Sequence, residues 1–318
     1  MGLYQGLGLG ALEADRGGGD CRRSPWSAAT QIGRLGGPGR NPVSLLDRVA
    51  EAQHFEPSAY RRWYAGPTPI GWIPHRLAEP LAACPGFVVG PTEIRSPAEG
   101  GIVDAALLNL KNQGLVPGWR NERYAIGTAF ETPPLFEMER AGALLFGVRT
   151  YGVHVNGYVR RGDSLHLWVA TRAAHKSTDP GKLDQIVAGG QPVGIGVMEN
   201  LVKECAEEAG IPAALARTAR PVGRISHLTH APDRGYAWNG ELFCFDLELP
   251  ESFVPRNADG EVAAFELWPA ARVLARLTDS RDFARDVALV AIDFLIRHGI
   301  YRADAPDVAR VKAGLRSP

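Results

Sequence analysis

Strand-like runs on either side of one short helix fill the chain after about residue 150, and this order limits the folds open to it. The runs GVHVNGYV and SLHLWVA alternate with a period of two, and the turn-like RRGD separates them. A helix is predicted over residues 198–209, and RPVGRISHLTH, YAWNGELFCFDLEL and EVAAFELW predict three further strands. A long helix is predicted over residues 281–299, so an α+β fold is predicted for this part.

The first half mixes helical and strand periods, and its composition names no chemistry. Helical spacing over residues 43–53, 75–84 and 102–114 predicts helices, FVVG predicts a strand, and SAYRRWYAG predicts a short helix ending at Gly66. Residues 1–40 hold 11 glycines and no period, which predicts a disordered tail. The predicted organisation is a tail at 1–40, a mixed domain at 41–145, a second domain at 146–300 and a C-terminal tail at 301–318.

Charge and cysteine usage exclude several classes of protein. Lys plus Arg and Asp plus Glu both number 35 in 318 residues, so a general binder of nucleic acid or anionic membranes is not expected. The cysteines at 21, 84, 205 and 244 form no CxxC, so neither a disulfide framework nor a zinc site is expected. No apolar run reaches the roughly 18 residues of a membrane span. The acidic, glycine-broken N-terminus argues against a targeting peptide, so we expect a cytoplasmic protein.

The predicted helix at residues 198–209 carries three glutamates on one face. At about 100° per residue, Glu204, Glu207 and Glu208 share an arc of about 100°. The apolar residues predicted to face the core on the opposite side are Val202, Cys205, Ala206 and Ala209. Glutamates three and four positions apart repel one another, and Mg²⁺, which takes a few carboxylates and holds substrate phosphates, would offset that repulsion. A solvated acidic face is the alternative; the flanking glycines favour the metal site.

The segment from Gly189 to Ile211 resembles the Nudix box, G-x5-E-x7-R-E-U-x-E-E-x-G-U, in which U is apolar. Gly189 stands at the first Gly and Lys203 at the Arg. The remaining matches, all in register, are Glu204, Cys205, Glu207, Glu208, Gly210 and Ile211. Ile195 departs from the pattern at the first Glu, and a pair of Glu199 with Lys203, four positions apart, is expected to substitute.

The flanks of the box resemble one Nudix subfamily, whose members carry an N-terminal domain catalogued as DUF4743. LDQIVAGG precedes the box and FDLELPESFVPRNADGEVAAFEL follows it, while GWRNERY, the segment Glu139-Arg140-Ala141 and HVNGY match the N-terminal half and its junction. Plant Nudix proteins and proteins related or fused to fungal thiamine pyrophosphokinase belong to this subfamily. The resemblance implies a Nudix α/β/α sandwich with a mixed sheet, preceded by a smaller mixed α+β domain.

The resemblance also implies an enzyme that hydrolyses a small-molecule diphosphate with Mg²⁺, or Mn²⁺, bound to the box. Glu204, Glu207 and Glu208 would then be catalytic residues and metal ligands, and the carbonyl of Gly189 a further ligand. Glu261 is a further catalytic candidate, with a solvated hairpin glutamate as the alternative. Which glutamate is the general base stays open. The subfamily's link to thiamine pyrophosphokinase makes thiamine diphosphate, or its oxo and oxy damage forms, the leading substrate.

Cations and aromatic rings near the box are candidates for substrate binding. Arg172 and Lys176 are expected to bind the diphosphate, unless they form a surface basic loop. Tyr236 and Trp238 share a strand face and are expected to stack on a heterocycle, with core packing as the alternative.

Three further polar residues are weaker candidates for the same role. Asp184 is expected to contact the non-phosphate group or to cap a turn. His154 and Asn156 alternate on one strand and therefore share a sheet face, where they line the cleft or serve the structure.

Other functions compatible with these residues stay open. An isopentenyl diphosphate isomerase needs a catalytic cysteine beside a glutamate, and Cys84 and Cys244 have no convincing partner. A non-catalytic ligand sensor is favoured only by Ile195. A nucleotide-sugar or dinucleotide pyrophosphatase would keep the chemistry and change the substrate. A homodimer is also left open.

Overall fold

The computed structural model describes residues 43–116, 118–176, 178–231, 235–302 and 307–316. The described residues all belong to one compact unit, residues 41–318. The predicted disordered tail at 1–40 and Cys21 lie outside the described residues.

Two small sheets and four helices form the part of this unit before the large sheet. The helices are α1 (Leu45–Ala52), α2 (Ala78–Ala82), α3 (Gly100–Asn112) and α4 (Arg140–Leu145). The strands are β1 (Tyr60–Ala65), β2 (Thr68–Pro74), β3 (Val88–Val89), β4 (Glu93–Ser96), β5 (Arg123–Ile126) and β6 (Phe136–Glu139). One sheet has the order β2-β1-β4-β3, and β5 pairs with β6. The apolar core of this part of the unit includes Trp63, Leu107 and Phe146.

The short helix predicted over residues 58–66 is wrong, because this segment forms strand β1. It pairs antiparallel with β2 and parallel with β4, and Gly66 (φ 57°) lies in the turn to β2. Trp63 is fully buried there, and its indole N–H donates a 3.1 Å hydrogen bond to Ser96 Oγ. Cross-strand packing of the aromatic residues therefore decided the conformation, which no local spacing revealed.

A mixed sheet of seven strands forms the larger part of the unit. Its strands are β7 (Thr150–Arg161), β8 (Ser164–Arg172), β9 (Leu183–Asp184), β10 (Val187–Gly190), β11 (Arg220–Ala231), β12 (Tyr236–Glu248) and β13 (Val262–Pro269). The central order is β11-β12-β7-β8-β13, with β10 paired to β7 and β9 to β8. Among the described strand pairs of this sheet, only β12–β7 is parallel, so the sheet is mixed.

Helices cover both faces of the large sheet. The remaining helices are α5 (Val197–Ala209), α6 (Ala213–Ala216), α7 (Ala270–Asp279), α8 (Arg285–Arg297) and α9 (Val308–Gly314). One apolar core joins α5 and α6 to the sheet, and a second joins α1, α7, α8 and α9 to it. The predicted α+β fold, with a sandwich around a mixed sheet, is confirmed.

Both ends of the described unit pack on the same helical layer. The amide of Gln53 donates to the carbonyls of Gly314 (3.0 Å) and Ser226 (2.7 Å), which ties the end of α1 to α9 and β11. Helix α9, which falls in the predicted C-terminal tail, buries Val308 and Val311. The domain boundaries at 145 and 300 stay predictions. No helix in the described ranges is long and apolar enough to cross a membrane.

Candidate active site

A cavity of about 530 Å³ lies where the large sheet meets α5, α4 and the segment before β5. The structure brings eleven of the twelve predicted site residues to its wall. They are His154, Arg172, Lys176, Asp184, Gly189, Glu204, Glu207, Glu208, Tyr236, Trp238 and Glu261. This volume is within the range of about 300–1,000 Å³ that is typical of small-molecule sites.

The twelfth residue, Asn156, lies away from the cavity wall. It is buried further along β7, and its amide donates a 3.1 Å hydrogen bond to Asp246 Oδ1. Asp246 also accepts from Arg297 and His298 at the end of α8. The shared sheet face was predicted from the alternation of β7, but α8 covers that face at Asn156, so this side chain joins a buried polar network instead.

Helix α5 is held so that its glutamates face the cavity. Its N-terminus is capped by Glu199, whose Oε2 accepts from the Gly196 N–H at 3.2 Å, and it ends at Gly210 in the left-handed conformation (φ 63°). Leu201 and Cys205 are fully buried against the sheet, which confirms Cys205 as a core residue. Ala206, which was predicted to face the core, is exposed.

Glu208 is a buried carboxylate rather than part of an exposed acidic face. Its side chain is 6% exposed, and its Oε2 accepts a 2.8 Å hydrogen bond from the N–H of Ala188 on β10. Burial, with the charges of Asp184 and Glu204, raises its pKa well above the ordinary value, against the opposing effects of Ala188 and Lys176. A carboxylate in such surroundings ionises readily only beside a cation.

Glu208, Asp259 and Glu261 form an acidic cluster. One carboxylate oxygen from each lies within 4.8 Å of the others. Asp259 holds the loop before β13, because its Oδ1 accepts from the Glu261 N–H at 2.8 Å. Sequence reasoning missed Asp259, although it lies in the ADGE segment that drew attention to Glu261. Three carboxylates that meet at one point, one of them buried, fit a hard divalent cation such as Mg²⁺.

The other two box glutamates flank this acidic cluster. A Cβ at Gly189 would lie 2.3 Å from Glu204 Cδ, so only glycine permits Glu204 to approach β10 this closely. Burial raises the pKa of Glu204, and the charge of Lys203 opposes that effect. Lys203 Nζ donates to Glu207 Oε2 at 2.8 Å and to Glu204 Oε1 at 3.2 Å. The predicted pair of Glu199 with Lys203 is therefore wrong, because Glu199 caps the helix.

The two cations predicted to bind phosphate both have carboxylate partners. Arg172 donates to Asp184 Oδ2 at 2.5 Å, and also to the carbonyl of Thr178 at 2.8 Å. Lys176 donates to Glu261 in the acidic cluster. Asp184 thus holds Arg172 in this structure, and Lys176 offsets the charge of the acidic cluster.

An aromatic wall forms another side of the cavity. Tyr236 and Trp238 lie on β12, and the ring of His227 meets the Trp238 ring edge-on at 5.0 Å. His154 Nδ1 lies 2.9 Å from Gln185 Oε1. Since Gln185 uses its amide N–H to donate to the Val287 carbonyl, its Oε1 faces His154 and accepts from the Nδ1–H.

Residues from before the large sheet complete the wall. The phenol oxygen of Tyr124 would lie 2.0 Å from a Cβ at Gly190, so β5 packs directly on the glycine pair of the box. Burial, as the largest cause, raises the pKa of Tyr124 to about 12. Arg140 Nη1 donates to Glu122 Oε2 at 2.8 Å. Sequence reasoning noted GWRNERY and Glu139-Arg140-Ala141 without assigning these residues to the site.

The known proteins that resemble the chain include Nudix hydrolases, as the resemblance to the Nudix box suggests. The family model "Domain of unknown function (DUF4743)" matches residues 44–150. Arabidopsis thaliana "Nudix hydrolase 24, chloroplastic" is 48% identical over 208 residues, covering 65% of this chain and 56% of that protein. "Nudix hydrolase 20, chloroplastic" is 48% identical over 196 residues, covering 62% and 52%. The chain thus spans about half the length of the curated relatives it matches.

Two more distant similarities were found. The Saccharomyces cerevisiae "Uncharacterized protein YJR142W" is 36% identical over 196 residues, covering 58% of this chain and 56% of that protein. The solved NUDIX domain of Shewanella oneidensis NrtR, complexed with ADP ribose, is 13% identical with a TM-score of 0.36, and the match covers 49% of this chain and 90% of that chain. The box register and the Arabidopsis relatives agree: over about two thirds of its length, the chain is similar to plant Nudix hydrolases.

Proposed function

We propose that the protein is a Mg²⁺-dependent hydrolase of organic diphosphates, with Mn²⁺ as a substitute metal. One observation carries the proposal: the buried carboxylate of Glu208 meets Asp259 and Glu261 within 4.8 Å, on the wall of a cavity that also holds Glu204 and Glu207. A structural cluster of acids would be expected to pair fully with basic residues. Here Lys176 is the one basic side chain hydrogen-bonded to the acidic cluster in the described chain.

Each residue has a distinct part in this chemistry. Glu208, Asp259 and Glu261 would hold the metal, which when bound supplies positive charge to phosphate oxygens and lowers the pKa of water. Glu204, with a pKa raised by burial, is our candidate for the base that takes a proton from the attacking water. Glu207 keeps Lys203 beside Glu204, and Lys203 would offset charge on the leaving phosphate.

Thiamine diphosphate, or its oxo and oxy forms, is the proposed substrate, with a monophosphate and phosphate as products. The resemblance to the thiamine pyrophosphokinase-related subfamily supports this choice. The aromatic wall of Tyr236, Trp238 and His227 is compatible with it, because flat heterocycles stack on aromatic side chains. Residence in the cytoplasm and a homodimer stay predictions, and the Arabidopsis relatives' names assign those proteins to the chloroplast.

The test measures phosphate release, and product formation by chromatography, with and without Mg²⁺. The compounds are thiamine diphosphate, its oxo and oxy forms, ADP-ribose, a dinucleotide and a nucleoside triphosphate. Chromatography is needed because ADP-ribose and a dinucleotide split into two phosphate monoesters without free phosphate. The variant Glu208→Gln is compared with the control Glu79→Gln, which changes an exposed residue outside the cavity. We expect Mg²⁺-dependent release from a thiamine compound that falls at least about 100-fold in Glu208→Gln alone.

The other outcomes separate the parts of the proposal. Mg²⁺-dependent turnover of a different compound would keep the hydrolase and discard thiamine. Turnover without metal, or equal turnover by wild type and Glu208→Gln, would refute the metal site. Tight binding of one compound without any turnover would replace the enzyme by a ligand sensor.

A further inference from the structure

Five basic side chains line the cavity: Arg120, Arg140, Arg172, Lys176 and Lys203. Four of them are bound to carboxylates, as described above. The guanidinium of Arg120 forms no hydrogen bond or ion pair with any residue in the described part of the chain. It is thus the one cavity cation, among the described residues, that can bind an anion without first breaking an ion pair.

The segment that carries Arg120 is anchored at both of its ends. The N–H of Arg120 donates to Oε1 of the buried Glu139 at 2.9 Å, and the Glu122 carbonyl accepts from the Arg140 N–H at 2.9 Å. Between them, Asn121 adopts φ 57°, and its Oδ1 accepts from the Trp119 indole at 2.8 Å. A fixed main chain therefore presents an exposed and unpaired guanidinium at the cavity wall.

Arg120 lines the same cavity as Asp259 and Glu261 of the acidic cluster. An anion bound between Arg120 and the acidic cluster would therefore contact residues from both parts of the unit.

We propose that Arg120 binds a phosphate of the substrate, so that the segment before β5 supplies a phosphate-binding residue to the box. This inference rests on the proposed function for its ligand class. A guanidinium presents paired N–H donors to phosphate oxygens, and it stays charged at every relevant pH. Arg172 and Lys176, the cations expected from the sequence, keep their structural partners in this arrangement.

The test is calorimetric titration of the full chain with imidodiphosphate, a diphosphate that resists hydrolysis, in the presence of Mg²⁺. The variants are Arg120→Ala, Arg120→Lys and the control Arg217→Ala, which removes an exposed arginine outside the cavity. We expect Kd to rise about 10-fold or more in Arg120→Ala, to recover in part in Arg120→Lys, and to stay unchanged in Arg217→Ala. The effect should shrink with added salt, because the guanidinium is exposed.

Three results would overturn the inference: no binding by the wild type, an unchanged Kd in Arg120→Ala, or an equal loss in Arg217→Ala. Thermal unfolding of each variant checks that the fold survives, and Arg120→Lys supplies a second, charge-conserving comparison. Failure of the proposed function is a different result. Imidodiphosphate binding that depends on Arg120, in a protein that hydrolyses no diphosphate, would refute the hydrolase and keep this site.

Discussion

Replacing Gly189 by alanine should impair catalysis far more than folding. The added Cβ would lie 2.3 Å from Cδ, 2.5 Å from Cγ and 2.7 Å from Oε2 of Glu204, whereas ordinary contacts begin at 3.4 Å. The carboxylate of Glu204 must therefore move by about 1 Å, and a misplacement of that size costs about 100-fold in rate. Because the displaced atoms belong to the end of a flexible side chain, the free energy of unfolding should change by about 1 kcal/mol or less.

The assay compares kcat/KM for the substrate found in the panel with Tm from thermal unfolding. Gly101→Ala is the matched control, because its Cβ would meet nothing within 4 Å. We expect Gly189→Ala to lose about 100-fold in kcat/KM with a nearly unchanged Tm, and the control to keep wild-type activity. Wild-type kcat/KM in Gly189→Ala would show that the position of Glu204 is irrelevant to the reaction. A large fall in Tm would show that the displacement affects the fold.

Three further predictions concern the cavity. Glu208→Gln should stabilise the metal-free protein. The folded chain holds the Glu208 proton at pH values where the unfolded chain has released it, so the stability of the wild type falls as pH rises above the ordinary pKa of 4.5. When both proteins are unfolded in urea from pH 5 to 8, this fall should be smaller in the variant. Mg²⁺ at about 100 times its Kd should stabilise the wild type by about 2.7 kcal/mol and should stabilise Asp259→Asn much less. If thermal unfolding shows that Mg²⁺ raises the stability of both proteins equally, Asp259 is not a ligand. Trp238→Leu should raise KM by about 10-fold for a diphosphate that carries an aromatic group, and should leave the binding of imidodiphosphate unchanged. Equal effects on the two compounds would contradict a stacking role for Trp238.

The N-terminal part of the described unit forms part of the cavity wall. Tyr124 packs on Gly190, and Arg120 and Arg140 line the same wall as the box glutamates. Removing this part would expose the glycine pair and take away two cations. For this reason, the protein should be assayed as the full chain.

Local sequence determined the box helix and much of the site. The spacing of Glu204, Glu207 and Glu208 and the glycines at 189 and 210 specify a helix of set length and its approach to the preceding strand, because these effects act over a few residues. The same holds for the strand runs after residue 150, which the structure confirms as β7, β8, β11, β12 and β13. Eleven of the twelve residues that were predicted from local patterns and from the Nudix resemblance line the cavity.

Tertiary structure alone decided which groups are paired and which are available. Asp259 meets Glu208, and Tyr124 meets Gly190, across long stretches of chain that no periodicity connects. Residues 58–66 became a strand for the same reason, since their partners lie in β2 and β4. A charge in the sequence does not reveal its partner, because ion pairing depends on distances of a few ångströms set by the packing of separate elements. Only the folded chain therefore shows that Arg172 is held by Asp184, whereas the guanidinium of Arg120 has no carboxylate partner among the described residues.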